Sequence, residues 1–350
     1  MVRDLMYTEP WNEILDNLSS SWPLYHPECG QIIGADLIRR ERRAHCEIVE
    51  ICLTASSGKT NLIAKRLLDS KQSTPALISK AQQELSNILS YGALLCGSPF
   101  QALEAIGDFT RYHTVITRKG DGRSLKDLIK KHARIGTTSS RMAALEALCE
   151  EAGRWLSWIH HRSRKAVQLA DHADALIHGL HAKLEQGIGL GLDATFMNPL
   201  LKMAKGLLTT YGHEGFPVVM THNDFTPENL LVNDNGILVL DYQAVDMAGT
   251  AYSDVALFTT YLETFAKYPL FGARQLTLLK QAFLRGYDAH WLRPEVLRVY
   301  QLKAMLVFFA YMSPSNTRSG LLQHLRSSYY RRWLQSWITS ELNAFSGAGS

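Results

Sequence analysis

The 350 residues are 46% hydrophobic and 20% charged, with a formal net charge of +4. That balance excludes a disordered chain, and so small and scattered a surplus of positive charge gives no reason to expect nucleic acid as a partner. The length suits two lobes, each with its own core. Five cysteines (Cys29, Cys46, Cys52, Cys96 and Cys149) are odd in number and lack metal-ligand spacing, so they read as reduced thiols. Met1–Pro10 has no apolar run of signal-peptide length. The longest apolar run, Ala304–Met312, falls far short of the ~20 residues that a membrane span needs. A soluble, cytoplasmic protein is expected, with peripheral membrane contact left open.

Alternating or β-branched segments around Gln31–Arg39, His45–Thr54 and Asn61–Leu68, separated by turn formers such as Ala55-Ser-Ser-Gly58, predict an antiparallel meander. A helix is predicted over Pro75–Tyr91, with Ala81, Leu85, Ile88 and Leu89 on one face. Two further strands are predicted at Phe100–Ile106 and Tyr112–Thr117, followed by the breaker Arg118-Lys-Gly-Asp-Gly122. Beyond it, helical spacing marks Ser124–Ala133, Arg141–His161, Ala170–Leu184 and Pro199–Tyr211. The clear β segments of this half are Leu230–Val232 and Ile237–Leu240, joined by the hairpin turn Asn233-Asp-Asn-Gly236. Helices fill most of the rest from Ser253. The expected organisation is an α+β, bilobal chain: a β-rich first lobe with one helix over 1–117, a hinge at 118–122, and a mostly helical lobe over 123–350.

The chemistry concentrates in Val218-Val-Met-Thr-His-Asn-Asp-Phe-Thr-Pro-Glu-Asn-Leu-Leu-Val232 and Ile237-Leu-Val-Leu-Asp-Tyr-Gln243. These stretches set Asp224, Asn229 and Asp241 around two hydrophobic segments. Hard oxygen ligands of this kind suit Mg²⁺, and a remaining Asp can orient an attacking hydroxyl. An isolated Asp-x4-Asn is a common feature of loops, because both residues favour turns. Four matching elements in order within about 35 residues are a different matter.

His222-x-Asp224-x4-Asn229, a strand and Asp241 together resemble the catalytic segment of the aminoglycoside phosphotransferase and choline kinase family, small-molecule kinases with a protein-kinase-like fold. Gly249-Thr-Ala-Tyr-Ser-Asp-Val-Ala-Leu257 is similar to the family's Asp-hydrophobic-Ala signature and places Asp254. The resemblance implies Asp224 as the residue that orients or accepts the hydroxyl proton and Asn229 and Asp241 as ligands of Mg²⁺. His222 would brace the loop, and Asp254 would anchor its backbone. Gln243 departs from choline-kinase-like members, where an acid often stands at that position. Asp246 is a candidate replacement or a solvated loop residue.

Leu62-Ile-Ala-Lys65 resembles the kinase strand that carries the phosphate-binding lysine, and Glu84 in the next helix is placed to be its partner. Arg66 should point to the other face of the strand. Thr117 and Lys119, in the linker, would offer backbone groups to the adenine of ATP. The phosphate-covering loop is expected near Arg39–His45, which has no glycine. Ser57-Gly-Lys-Thr60 imitates a Walker A loop, but Leu53 stands at the first glycine position and a strand follows, so it is read as a hairpin turn.

From Tyr261 onward, where the family builds its acceptor pocket, there are 11 Lys/Arg against 4 Asp/Glu. A polycationic aminoglycoside would prefer an acidic pocket. A neutral or anionic hydroxyl compound such as a sugar or glycan precursor fits better, and aromatics including Tyr261, Phe265, Tyr268 and Trp337 keep an amino alcohol open. The expected function is ATP- and Mg²⁺-dependent transfer of the γ-phosphate to a small-molecule hydroxyl. A Ser/Thr protein kinase is the first rival, disfavoured by Asp241-Tyr-Gln243 in place of Asp-Phe-Gly. A catalytically silent nucleotide-binding module is the second.

Overall fold

The computed structural model describes residues 10–26, 30–69, 71–165, 172–211, 216–268, 270–312 and 321–347. The expectations for Met1–Glu9, for Cys29, and for the first two residues of the predicted helix at Ala170 lie outside them. The chain divides into two units, Met1–Gly122 with Leu231–Val245, and Arg123–Leu230 with Asp246–Ser350. The stretch Leu231–Val245 therefore packs with the first unit, not with the second as its position in the chain suggests.

In the first unit, β1 (Ile32–Arg42), β2 (Cys46–Ala55), β3 (Gly58–Leu67) and β4 (Thr114–Arg118) form an antiparallel sheet in chain order. The turn between β2 and β3 is Ser56-Ser57, with Ala55 paired to Gly58, so the Walker A imitation is a hairpin. Phe100–Ile106 is not a strand. It runs beside β4 with one bridge, Ala105 to Thr117, and with Ile106 N–H on the Ile116 carbonyl at 2.8 Å. β4 starts later than expected, because Thr110–Tyr112 is a 3-10 turn closed by His113 in the left-handed region.

A helix that the sequence pattern does not predict, α1 (Trp11–Tyr25), covers one face of this sheet. Trp11, Ile14, Leu15, Leu18 and Trp22 recur at helical spacing and bury themselves with Val49, Ile51, Leu53, Leu62 and Ala64. Among its described residues the first unit thus has two long helices, where the sequence pattern gives one. The second, α2 (Thr74–Leu95), begins with Pro75 in its first turn and buries Leu77, Ala81, Glu84, Asn87, Ile88 and Tyr91. The hairpin β7 (Leu230–Asn233) and β8 (Gly236–Val239) follows later in the chain. Gly122, at φ +118°, passes so close to the Val232 carbonyl that a β-carbon there would clash with backbone.

The second unit contains the two-residue β5 (Arg123–Ser124), α3 (Leu125–His132), α4 (Ser139–Ser163), α5 (His172–Gly189), α6 (Met197–Tyr211), α7 (Ala251–Glu263), α8 (Ala273–Tyr287), α9 (Pro294–Met312) and α10 (Leu321–Gly347). It also holds an antiparallel pair absent from the sequence-based expectation, β6 (Val218–Thr221) with β9 (Asp246–Thr250). Ser124 caps α3 by accepting the Asp127 N–H at 3.1 Å. Helices α4 and α8 meet at glycines: a β-carbon on Gly153 or Gly286 would lie under 3.0 Å from the backbone of the other helix. An aromatic stack of Trp155, Phe225, Phe258 and Phe283 fills the interior, with Phe258 and Phe283 centroids 4.0 Å apart. Among the described residues no helix is long and apolar enough to cross a membrane.

Candidate active site

β6 delivers the chain into the loop His222–Asn229, and the loop is fixed at both ends. Asp254, on the first turn of α7 and wholly buried, accepts the His222 N–H and the Asn223 N–H at 2.7 Å each. Asn223 takes a left-handed φ of 58°, which Asn tolerates because its short polar side chain can bond locally. On the far side of Asp224, the Phe225 ring is buried and stacks on Trp155 at 5.5 Å. Asp224 is therefore held between a carboxylate clamp and an aromatic anchor. Its carboxylate accepts the Asn229 side-chain N–H at 2.8 Å, and its carbonyl accepts the same amide at 2.9 Å. His222 is buried and takes the Asp224 N–H on Nδ1 at 3.3 Å.

Two residues of this clamp are not marked by the sequence. His160 of α4 places Nε2 3.1 Å from Asp254, and its Nδ1 lies 2.7 Å from the Tyr287 hydroxyl of α8. An ionised carboxylate only accepts, so Nε2 carries the proton that faces Asp254, and in the neutral ring Nδ1 accepts from the Tyr287 hydroxyl. All three side chains are buried. The one sequence signal is His160 within the apolar stripe of α4, where a histidine reads as ordinary core.

Glu228 of the same loop pairs with Lys126 at 2.5 Å and accepts from the Tyr261 hydroxyl at 3.2 Å. Burial pushes the Tyr261 phenol well above its usual range, reinforced by the Glu228 charge. Of the other aromatics beyond Tyr261, Phe265, Tyr287, Tyr300 and Tyr330 are buried as core, and Tyr329 is exposed.

In the first unit, Lys65 Nζ lies 2.9 Å from Glu84 and 2.8 Å from Asp241. Burial draws the Lys65 ammonium down, but the carboxylates of Glu84 and Asp241 outweigh it and hold its pKa above the usual lysine range. Burial pushes Glu84 upward against the pull of Lys65. These tendencies compete over one contact. Because a second carboxylate sits on the same ammonium, the charged lysine is the state that prevails. Asp241 has a left-handed φ of 62°. The segment after it is tied to α2 by Asn87, whose side-chain N–H reaches the Tyr242 carbonyl at 2.8 Å, and by the Tyr91 ring, edge-on to Tyr242 at 4.7 Å. Asn87 is absent from the sequence-based site, although it lies one helical turn from Glu84 on the same face.

The other predicted positions are placed differently. Thr117 lies inside β4 and pairs with Ile63 on one side and Ala105 on the other. Lys119 donates its N–H to the Asn61 carbonyl at 2.9 Å and its ammonium to Glu50 at 2.6 Å. The Lys119 N–H is thus used in pairing with β3. Arg39–Arg42 belong to β1, so only Arg43–His45 form the turn, and Arg39 and Arg43 both pair with Glu41.

Hard oxygens suit Mg²⁺, which keeps several waters and uses one or two protein ligands alongside substrate phosphates. Each unit carries one hard oxygen donor of that kind. Asn229, in the second unit, commits its amide nitrogen to Asp224 and keeps a hard amide oxygen, and Asp241, in the first unit, is 43% exposed with one oxygen on Lys65. No cluster of three His, Cys, Asp or Glu occurs among the described residues.

A β-meander with a Lys–Glu pair and a helical unit carrying an Asp–Asn loop define a protein-kinase-like fold. Residues 97–297 match the APH family, the phosphotransferase enzyme family, and the chain belongs to it. Among solved structures the chain is similar to a choline kinase from Cryptosporidium parvum Iowa II, at 15% identity over 88% of this chain and 91% of that one, TM-score 0.50. It is also similar to a thermostable mutant of aminoglycoside phosphotransferase APH(4)-Ia in ternary complex with ADP and hygromycin B. There the identity is 13% over 95% and 99% of the two chains, with a TM-score of 0.52. No curated protein sequence matches the chain.

Proposed function

We propose that this phosphotransferase is an ATP- and Mg²⁺-dependent O-kinase of a small hydroxylated molecule. The observation that carries the reading is the Asp224 carboxylate, oriented by Asn229 on a loop whose backbone is clamped by buried Asp254. The acceptor hydroxyl attacks the γ-phosphorus, its proton passes to Asp224, and the bond to the β-phosphate oxygen breaks to release ADP. Asn229 and Asp241 would hold Mg²⁺, which when bound neutralises charge on the phosphates. Lys65, kept charged and oriented by Glu84, would face the α- and β-phosphates. The basic balance beyond Tyr261 favours a neutral or anionic acceptor, such as a sugar or glycan precursor, over an aminoglycoside.

The test is a screen of sugars, amino alcohols and aminoglycosides by ADP release, run beside Asp224→Ala. Loss of the general base should lower turnover by about 10²–10⁴-fold while MgATP-dependent thermal stabilisation persists. Near-normal turnover in purified Asp224→Ala would overturn the mechanism. MgATP binding with no turnover on any acceptor would favour a silent nucleotide-binding module.

A further inference from the structure

The face of the first sheet that packs against α1 carries a charge cluster that the proposed reaction does not use. Strand register sets Arg42 of β1 opposite Glu47 of β2, and Glu47 opposite Arg66 of β3. Residues paired across antiparallel strands share a face, with β-carbons about 4.5–5.5 Å apart. Glu47 thus stands between two guanidinium groups. It is already occupied: Arg40 Nε reaches one oxygen at 2.5 Å, and the Trp11 indole N–H reaches the other at 2.9 Å.

Arg66 is left over. Its Nε is buried without a hydrogen-bond partner, and among the described residues neither Arg66 nor Arg42 forms an ion pair. Burial pulls the Arg66 guanidinium below its usual range, Glu47 opposes this, and the charges of Arg40 and Arg42 reinforce it. His113 precedes Thr114, the β4 partner of Arg66, and its imidazole is lowered first by burial and then by the Arg66 charge. The first residue of α1 is Trp11, so the positive end of that helix dipole lies at the same place. Of the three guanidinium groups only Arg40 is hydrogen-bonded to the one buried carboxylate, and partly desolvated positive charge without a paired counter-ion is costly.

We propose that Arg40, Arg42 and Arg66 bind a phosphate-type dianion, either inorganic phosphate or a phosphomonoester headgroup, on the sheet face opposite Lys65. Lys65 pairs with Ile48, one residue out of step with Glu47 and Arg66, so strand alternation sends it to the other side. The planar guanidinium fork matches two phosphate oxygens at once, and Arg66 offers such a fork with its Nε already out of water. The surplus positive charge distinguishes this cluster from the self-paired Arg39, Glu41 and Arg43 on the other face.

The test is calorimetric titration of the full chain with inorganic phosphate at constant ionic strength, and sedimentation with phosphatidate against phosphatidylcholine vesicles. Phosphate or phosphatidate binding is expected in the wild type and in Lys65→Met alike. Arg66→Met should weaken it by about tenfold or more, the scale of one charge-assisted contact. Arg42→Ser, at an exposed position whose truncation leaves no buried gap, should weaken it in the same direction. Binding of phosphatidate without inorganic phosphate would support the headgroup as the source. Affinity unchanged in both arginine variants, loss in Lys65→Met alone, or no binding of either probe would overturn the proposal.

Discussion

The ammonium of Lys65 lies 2.8 Å from a carboxylate oxygen of Asp241, although 176 positions separate them in the chain. That contact sets a strand lysine and an aspartate two residues beyond β8 on one another, with Glu84 of α2 as the third member. The pairing makes Lys65 more than a ligand candidate, because it neutralises a carboxylate that α2 has buried.

Lys65→Met should therefore cost stability as well as activity. Glu84 is only 4% exposed, and breaking a buried pair by removing one partner costs about 3–5 kcal/mol. Lys65→Met/Glu84→Leu should recover most of that loss, since no buried charge remains, while turnover stays abolished. Urea denaturation of the two variants checks it; equal destabilisation of both would refute the burial argument. Because the folded pKa of Lys65 is raised, its stabilisation is complete below the usual lysine value of 10.5 and is lost only as pH climbs above it. Deprotonation of Lys65 therefore takes nothing from stability at neutral pH.

The clamp beneath the His222–Asn229 loop makes a second prediction. Asp254→Ala deprives two backbone N–H groups and the His160 Nε2–H of their shared acceptor. Leaving one buried donor unsatisfied costs about 1–3 kcal/mol, so the variant should lose several kcal/mol in denaturant titration, or fail to fold. His160→Asn is the milder probe. It should speed amide exchange at His222 and Asn223 and lower kcat, with nucleotide affinity unchanged. Unaltered exchange at these two amides would show that Asp254 holds the loop without help from His160.

Much of this arrangement is legible in the sequence, and the gaps have physical causes. Asp224, Asn229 and Asp241 stand out because one short loop and one hairpin carry them, with spacing that the chain enforces locally. The Lys65–Glu84 contact follows from a strand and the helix after it. His160 and Tyr287 do not stand out, since a buried polar network is joined only by packing of α4, α7 and α8, and each member alone reads as core. The helix α1 is hidden by Asn17 and Ser19-Ser20-Ser21, which have weak helix propensity; its Trp and Leu stripe forms because the sheet is there to receive it. The pair β6–β9 is obscure because each strand is only 4 or 5 residues long and the two lie far apart in the chain. At Thr117 and Lys119 the sequence reads as a linker of free backbone, but sheet pairing continues into it.

The glycine contact between α4 and α8 is open to a simple substitution series. A β-carbon at Gly153 would press on the Phe283 carbonyl, and one at Gly286 on the Glu150 carbonyl. Backbone cannot rotate away as a side chain can, so each alanine should destabilise by about 1–3 kcal/mol or more. The pair should be less than additive, because one separation of the helices relieves both clashes. Gly92 in α2 is the control, with nothing within 4 Å of the place a methyl group would take. Gly92→Ala should instead stabilise by roughly 0.5–1 kcal/mol through helix propensity. A stabilising Gly153→Ala would show that α4 and α8 can part at no cost.

His172 supplies the pH dependence. Its ring stands 5.0 Å from Phe216 and lies parallel to Tyr300 at 6.1 Å. Burial lowers its pKa below the usual 6.5, and the Lys303 charge adds to the effect. The unfolded chain then accepts a proton that the folded chain refuses, so stability falls as pH drops through 6.5 and below. His172→Phe removes the titration and keeps a ring of similar size. Its melting temperature should fall less steeply than that of the wild type as pH is lowered from about 7 to about 5, measured by thermal denaturation at matched ionic strength. Parallel curves for the two proteins would mean that His172 titrates equally in the folded and unfolded chains.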